Sequence, residues 1–295
     1  MSVMGSMRFG LVGTGHWARL AYAPALASAE GIDFVSVWGR GHSSAAEVAG
    51  GYGAAAYDDF GEFLGSVDGV AFAVPPDVQS ELATAAAAAG KHLLLEKPVA
   101  LTSADADRLV AAVMEAGVAS VVFFTAQFQP DVRAWLADAR ARGGWLGGAG
   151  TWLGTAFQEG NPFNTPWRRE KGGLWDVGPH LVALLIKGLG PVTSVTARKG
   201  PADVTHLVLG HEGGASSTVT ATLSANESSE FSEVYLWGES GRSVAPAEYS
   251  DPVPPLRTAL SELAANAAAG RTEHPCDVRF GRDVVDVLAA AADQA

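Results

Sequence analysis

Arg8-Phe9-Gly10-Leu11-Val12-Gly13-Thr14-Gly15-His16-Trp17-Ala18 runs an apolar stretch straight into a G-x-G-x-x-A element, and its reading decides the first half of the fold. The apolar stretch predicts a buried strand and the residues after Gly15 a helix. Between them, glycines allow a tight turn and close backbone approach. The helix that follows directs its unpaired N–H groups and positive dipole end at whatever lies over the turn. A pyrophosphate is the group that such a turn accommodates. Glycine is common in this chain, 35 of 295 residues, so the pattern gains its force from context. It follows an apolar strand and opens a helix, as a dinucleotide-binding βαβ unit requires. Gly13, Thr14, Gly15, His16 and Trp17 are therefore candidate cofactor contacts.

Working outward, apolar runs recur at 33–38, 69–74, 92–95 and 119–124, with Ala-rich helical stretches between them. Val78–Ala89 is followed by Gly90 and Ser103–Ala116 by Gly117, the residue that most often closes a helix. Strands alternating with helices need crossover connections, which predicts a doubly wound parallel sheet. Residues 7–124 are thus expected to form a Rossmann nucleotide-binding domain.

Beyond residue 145 the rhythm changes. Strand-like runs follow one another at 148–155, 192–198, 203–209, 216–223 and 233–237. In 217–223 every second residue is polar, predicting an antiparallel sheet covered on one side. Helical stretches at 256–268 and 281–292 close the chain. The expectation for 125–295 is a mostly antiparallel open sheet with helices on one face, serving substrate binding and self-association. The uncovered threonine face is the expected seat of a homodimer or homotetramer contact.

Composition narrows the partners. With 20 Lys+Arg against 32 Asp+Glu, the net charge is −12, and no dense basic stretch offers a nucleic-acid surface. The single cysteine, Cys276, allows no internal disulfide, and no Cys/His cluster suggests a metal site. No apolar run approaches the ~20 residues of a membrane span, and Met1–Met7 lacks the features of a secretory leader. A soluble, cytoplasmic protein acting on a small molecule is expected.

The end of the second apolar run bears on the nucleotide. An NAD site usually places Asp or Glu there to accept from the ribose 2′-hydroxyl, whereas this chain reads Val37-Trp38-Gly39-Arg40-Gly41-His42-Ser43. Asp33 lies at the opposite end of the strand, roughly 17 Å away. Arg40 with Ser43 suits a 2′-phosphate, favouring NADP over NAD; a solvated surface arginine is the alternative. The turn at Val74-Pro75-Pro76 must end its strand and is expected to border the cofactor. Gln79 follows within reach, or simply faces solvent.

Two further constellations carry chemistry. Glu96-Lys97-Pro98 ends the 92–95 run, and a lysine there is placed to stabilise negative charge on a substrate oxygen. Asp176 and His180 lie around Pro179, which a helix tolerates only in its first turn. That places Asp176 at or near a helix N-terminus and His180 one turn on, where the helix favours neutral imidazole. A capping Asp and a packed histidine are the alternative.

Together, Gly13–Ala18, Glu96-Lys97-Pro98, Trp167-Arg168 and Gly172-Gly173…Asp176…Gly178…His180 resemble the glucose–fructose oxidoreductase/inositol dehydrogenase family, Gfo/Idh/MocA. The resemblance implies reversible oxidation of a secondary hydroxyl on a sugar or cyclitol. It implies that Lys97 contacts the substrate hydroxyl, that His180 is the general acid/base and that Asp176 positions substrate or histidine. It also implies a cis Lys97–Pro98 bond and adds Glu96, Lys97, Trp167 and Arg168 to the residues near the cofactor. Where relatives often carry a Tyr-Arg-Phe-like element, this chain has Ala126-Gln127-Phe128, which speaks against a phosphorylated or acidic substrate. A non-catalytic nucleotide-binding regulator and a reductase of a non-sugar C=N or C=C substrate are the alternatives.

Overall fold

The computed structural model describes residues 6–247 and 251–294. The chain divides into two compact units, one of Met1–Phe123 with Ser250–Arg282 and the other of Phe124–Tyr249 with Asp283–Ala295.

The first unit is built on six strands: β1 (Met7–Val12), β2 (Ile32–Trp38), β3 (Ala55–Tyr57), β4 (Gly69–Phe72), β5 (His92–Glu96) and β6 (Ser120–Phe123). All pair in parallel, in the order β3-β2-β1-β4-β5-β6. This is the doubly wound dinucleotide-binding arrangement, with its order reversing between β1 and β4. Leu93, Leu94, Leu95, Val121, Val122 and Phe123 have no exposed surface, as expected of strands covered on both faces. Between the strands run α1 (Ala23–Ser28), α2 (His42–Gly50), α3 (Phe60–Ser66), α4 (Pro76–Ala88) and α5 (Ser103–Ala116). Their ends follow local chemistry. The Thr102 hydroxyl accepts from the Asp105 N–H at the start of α5, and Gly117 closes that helix at φ 62°, a left-handed position.

The second unit contains β7 (Trp145–Leu153), β8 (Val192–Lys199), β9 (Thr205–His211), β10 (Ser216–Thr222), β11 (Phe231–Gly238) and β12 (Gly241–Val244). They form a sheet in the order β12-β11-β7-β10-β9-β8, antiparallel except for the β7–β10 pair. Three helices belong to it, α6 (Pro130–Arg142), α7 (Pro166–Asp176) and α8 (Gly178–Leu189). Val219 and Ala221 are buried while Thr218 is exposed, so the expected one-sided alternation is present. On the covered face Gly150 lies against Leu181 of α8. The open face carries Val208, Phe231, Trp237 and Val244, 40–52% exposed.

The chain then returns to the first unit. α9 (Val253–Ala268) packs on β5, β6 and α1, and α10 (Val278–Ala292) supplies residues to each unit. Among the described residues no helix is long and apolar enough to cross a membrane.

Candidate active site

In the first unit the glycine turn stands at the reversal point of the sheet. Gly13 has φ 129°, and a Cβ there would lie 2.4 Å from the Ala73 carbonyl oxygen, so only glycine fits. The Ala73 N–H donates to the Val12 carbonyl at 2.9 Å, which ties the turn to the end of β4 and to Val74 and Pro75. A Cβ at Gly15 would meet nothing within 4 Å; that side of the loop is open. Thr14 packs under Gly39, bringing the turn after β2 beside the glycine loop. There Arg40 and Ser43 are exposed, and Arg40 has no ion pair among the described residues. An open loop at a helix start, with an available cation after β2, fits a phosphorylated dinucleotide.

The helix after the loop is wound as a π-helix over Ala18–Tyr22 before α1 begins. The wider i→i+5 winding brings residues five apart closer to one face than an α-helix would. Trp17 and Tyr22 are five apart. The Trp17 indole N–H donates to Glu96 Oε1 at 2.6 Å and the Tyr22 hydroxyl to the same oxygen at 2.9 Å. The Lys97 N–H donates to Glu96 Oε2 at 3.1 Å. Burial pushes the Glu96 carboxyl above its ordinary value, against the lowering effects of the Lys97 charge and these donors.

Gln79 has no exposed surface. Its amide nitrogen donates to the Glu96 carbonyl at 2.8 Å and the Pro98 carbonyl at 3.3 Å, and its oxygen accepts from the Glu96 N–H at 2.8 Å. Both halves of the amide thus hold the Glu96-Lys97-Pro98 turn. The Lys97–Pro98 bond is cis. The lysine backbone is fixed by residues from three elements, while its side chain remains half-buried. The structure brings together Trp17, Gln79, Glu96 and Lys97, four of the residues singled out by sequence. It adds Tyr22, whose spacing from Trp17 gives no same-face signal under α-helical periodicity.

In the second unit Asp176 ends α7, and α8 starts two residues later with Pro179 in its first turn. Asp176 is therefore the last residue of one helix rather than the cap of the next. Its carboxylate accepts from Arg168 Nε at 2.8 Å, with both side chains largely buried. The Arg168 guanidinium also lies 4.7 Å from the Trp167 ring centroid and 5.3 Å from that of Phe163, a stacked and paired arginine. His180 is 8% exposed, its ring 5.4 Å from Trp152. Trp167, Arg168, Asp176 and His180 thus share one unit, with the Arg168–Asp176 pair spanning a break in α7 at Gly172. Gln127, in the 3-10 turn Thr125–Phe128, is buried. The described residues contain no group of three or more His, Cys, Asp or Glu side chains suited to a metal.

The chain is similar to several known proteins. Residues 7–124 match the model of the oxidoreductase family with an NAD-binding Rossmann fold, Gfo/Idh/MocA. The chain is 35% identical over 127 residues to 4-carboxy-2-hydroxymuconate-6-semialdehyde dehydrogenase of Sphingobium sp., a stretch covering 42% of this chain and 40% of that protein. It is 30% identical over 164 residues to levoglucosan dehydrogenase of Pseudarthrobacter phenanthrenivorans, covering 49% of this chain and 41% of the relative. The chain thus spans about two fifths of the length of these curated relatives. Among solved structures, GenD2 from gentamicin A biosynthesis, in complex with NAD, superposes with a TM-score of 0.87. That likeness covers 100% of this chain and 95% of the other at 21% identity, and shows that the fold extends through both units. Over residues 7–124, the chain is thus similar to the Gfo/Idh/MocA oxidoreductase family with its NAD-binding Rossmann fold.

Proposed function

We propose that this protein is an NADP-dependent dehydrogenase that interconverts a secondary hydroxyl and a carbonyl on a sugar- or cyclitol-like small molecule. The observation that carries the reading is the buried frame around Lys97. Gln79, Glu96, Trp17 and Tyr22 together fix one turn, more than a solvated surface lysine needs. Gly13, Thr14, Gly15, His16 and Trp17 would hold the dinucleotide, with the Val74-Pro75-Pro76 turn beside them and Arg40 and Ser43 on the 2′-phosphate. When bound, the nicotinamide supplies the hydride acceptor or donor. Lys97 holds the substrate oxygen and stabilises the charge that develops there. His180 takes the hydroxyl proton in the oxidation direction and returns it in reduction. Asp176, held by Arg168, positions the substrate or the imidazole. Gln79 and Glu96 serve by holding the lysine turn.

Several curated relatives are named for sugars, among them levoglucosan dehydrogenase, D-apiose dehydrogenase and galactose 1-dehydrogenase, which supports the substrate class. The relative named for a muconate semialdehyde favours, as a second reading, a non-sugar carbonyl compound. Residues 7–124 would serve the nucleotide and 125–295 the substrate and self-association. The latter uses the open face of the β7–β12 sheet, where Phe231, Trp237, Val208 and Val244 are exposed. The test is a panel of sugars, cyclitols and semialdehydes assayed with NADP+ or NADPH. Turnover by the wild type, with Lys97→Met and His180→Ala inactive but still binding nucleotide, is expected. Unchanged turnover in both variants removes the assignment.

A further inference from the structure

The break in α7 has an owner that neither sequence motif nor family likeness assigns. Gly172 adopts φ 68° and ψ −170° in the middle of the helix. It separates the half bearing Arg168 from the half bearing Asp176. A Cβ at Gly173 would lie 2.7 Å from both the backbone nitrogen and the Cα of Thr222, so the second half rests directly on the end of β10. One side chain ties these pieces together. Asp203, in the turn between β8 and β9, accepts from the Gly173 N–H at 2.9 Å and from the Leu223 N–H at 2.8 Å. Its other oxygen accepts from the Thr222 hydroxyl at 2.6 Å.

The turn that presents Asp203 is itself over-determined. Gly200 N–H donates to the Val204 carbonyl at 2.8 Å and Val204 N–H to the Pro201 carbonyl at 3.2 Å. Ala202, next to Asp203, has φ 56° and is the sole non-glycine residue with positive φ among the described residues. Such a conformation persists only where the surroundings hold it, and it clusters at functional sites. Burial raises the Asp203 carboxyl, but hydrogen bonds from Ser224, Thr222, Leu223 and Gly173 outweigh it and leave its pKa below the ordinary value.

We propose that Asp203 is the positioning residue for the Asp176–His180 segment, clamping the break at Gly172 so that Arg168 and Asp176 meet across it. The consequence for turnover rests on the dehydrogenase reading above; the clamp itself does not. An asparagine retains the clamp. Its carbonyl oxygen serves both backbone N–H groups, and its NH2 donates to the Thr222 hydroxyl, which reverses its role. An alanine removes every contact.

The experiment is hydrogen exchange on the full chain for wild type, Asp203→Ala and Asp203→Asn, with kcat and KM on the best substrate of the panel and an NADPH titration. Asp203→Ala is expected to speed exchange through Gly173–His180 by roughly tenfold or more. Its kcat should fall by roughly a hundredfold, with NADPH affinity unchanged, and Asp203→Asn should restore both toward wild type. A residue that merely stabilises the sheet would lower the melting temperature without changing kcat per folded molecule. Unchanged exchange over Gly173–His180, or unchanged kcat, overturns the proposal. If Asp203→Ala loses protection throughout β7–β10, Thr222→Val decides. Removing one of the carboxylate's donors should loosen the same segment, and no change there is equally fatal. If the wild type turns over nothing in the panel, the dehydrogenase reading has failed, while the exchange result still decides the clamp.

Discussion

Replacing Trp17 by phenylalanine tests whether the glycine-loop helix and the lysine turn are coupled through a buried carboxylate. The substitution deletes the indole N–H that donates to Glu96 Oε1 at 2.6 Å and leaves that oxygen to the Tyr22 hydroxyl alone. A hydrogen bond to a charged acceptor contributes about 1.5–3 kcal/mol, and one to a neutral acceptor about 0.5–1.5 kcal/mol. The loss should therefore depend on the ionisation of Glu96. Burial raises its folded-state pKa above the ordinary 4.5. A group of this sign favours folding most fully below its unfolded value, and that contribution is lost as pH rises through the folded value. Removing a donor to the carboxylate strengthens this trend. Trp17→Phe should thus cost about 1.5–3 kcal/mol at alkaline pH and about 0.5–1.5 kcal/mol below pH 4.5, each in addition to a packing loss that does not vary with pH. Urea unfolding followed by far-ultraviolet circular dichroism at the two pH values measures the difference directly. An equal loss at both, or a smaller one at alkaline pH, refutes the coupling.

Other expectations follow from the same geometry. Arg40→Ala should weaken NADPH binding by roughly tenfold or more while leaving NADH unaffected, because a charge-assisted bond to the 2′-phosphate disappears; a fluorescence titration with each nucleotide reads this. His211 is buried, with Nδ1 2.8 Å from the Gly190 carbonyl and Nε2 2.8 Å from the Ser217 hydroxyl. Burial lowers its pKa from 6.5, partly offset by the Gly190 hydrogen bond. The unfolded chain then binds the proton first, so this stabilisation is present above pH 6.5 and lost as pH falls toward the folded value. Thermal melts should show a decline of no more than about 1.4 kcal/mol per pH unit from this residue, absent in His211→Gln. Trp237, 46% exposed on the open sheet face, is expected to lie in a self-association contact. Sedimentation should show Trp237→Lys monomeric where the wild type is not, and a monomeric wild type would remove that part of the account.

Much of the first unit was legible because its strands are short, largely apolar runs and its helices end on recognisable residues. Ser103–Ala116 matches α5 at both ends, where Thr102 and Gly117 supply local caps. The three-residue β3 leaves no signal in sequence, since none of its residues is fully buried and so few residues establish no period. α6 does carry a signal, with Val132, Trp135, Leu136 and Ala139 buried at i, i+3, i+4 and i+7, although the expected elements leave that stretch as a connection. The return of α9 to the first unit is invisible in sequence because a stripe of apolar residues does not name the surface it covers. The same holds for the site. Lys97, Asp176 and His180 stand in recognisable local patterns. Gln79 and Glu96 could be singled out by position, but not the partners their side chains take. Tyr22 depends on π-helical winding, and Asp203 bonds to groups 19 to 30 residues away, a distance over which sequence pattern carries no register.

Hydride transfer from a carbinol carbon to the nucleotide leaves an isotopic record that mass spectrometry reads. The wild-type protein is incubated with NADP+ and a panel of sugars and cyclitols deuterated at their carbinol carbons, and the nucleotide is analysed by mass spectrometry. Deuterium is expected in the reduced nucleotide with at least one panel member, and none with Lys97→Met. Tight nucleotide binding with no label transferred from any panel member would contradict hydride transfer and leave a nucleotide-binding protein without this chemistry.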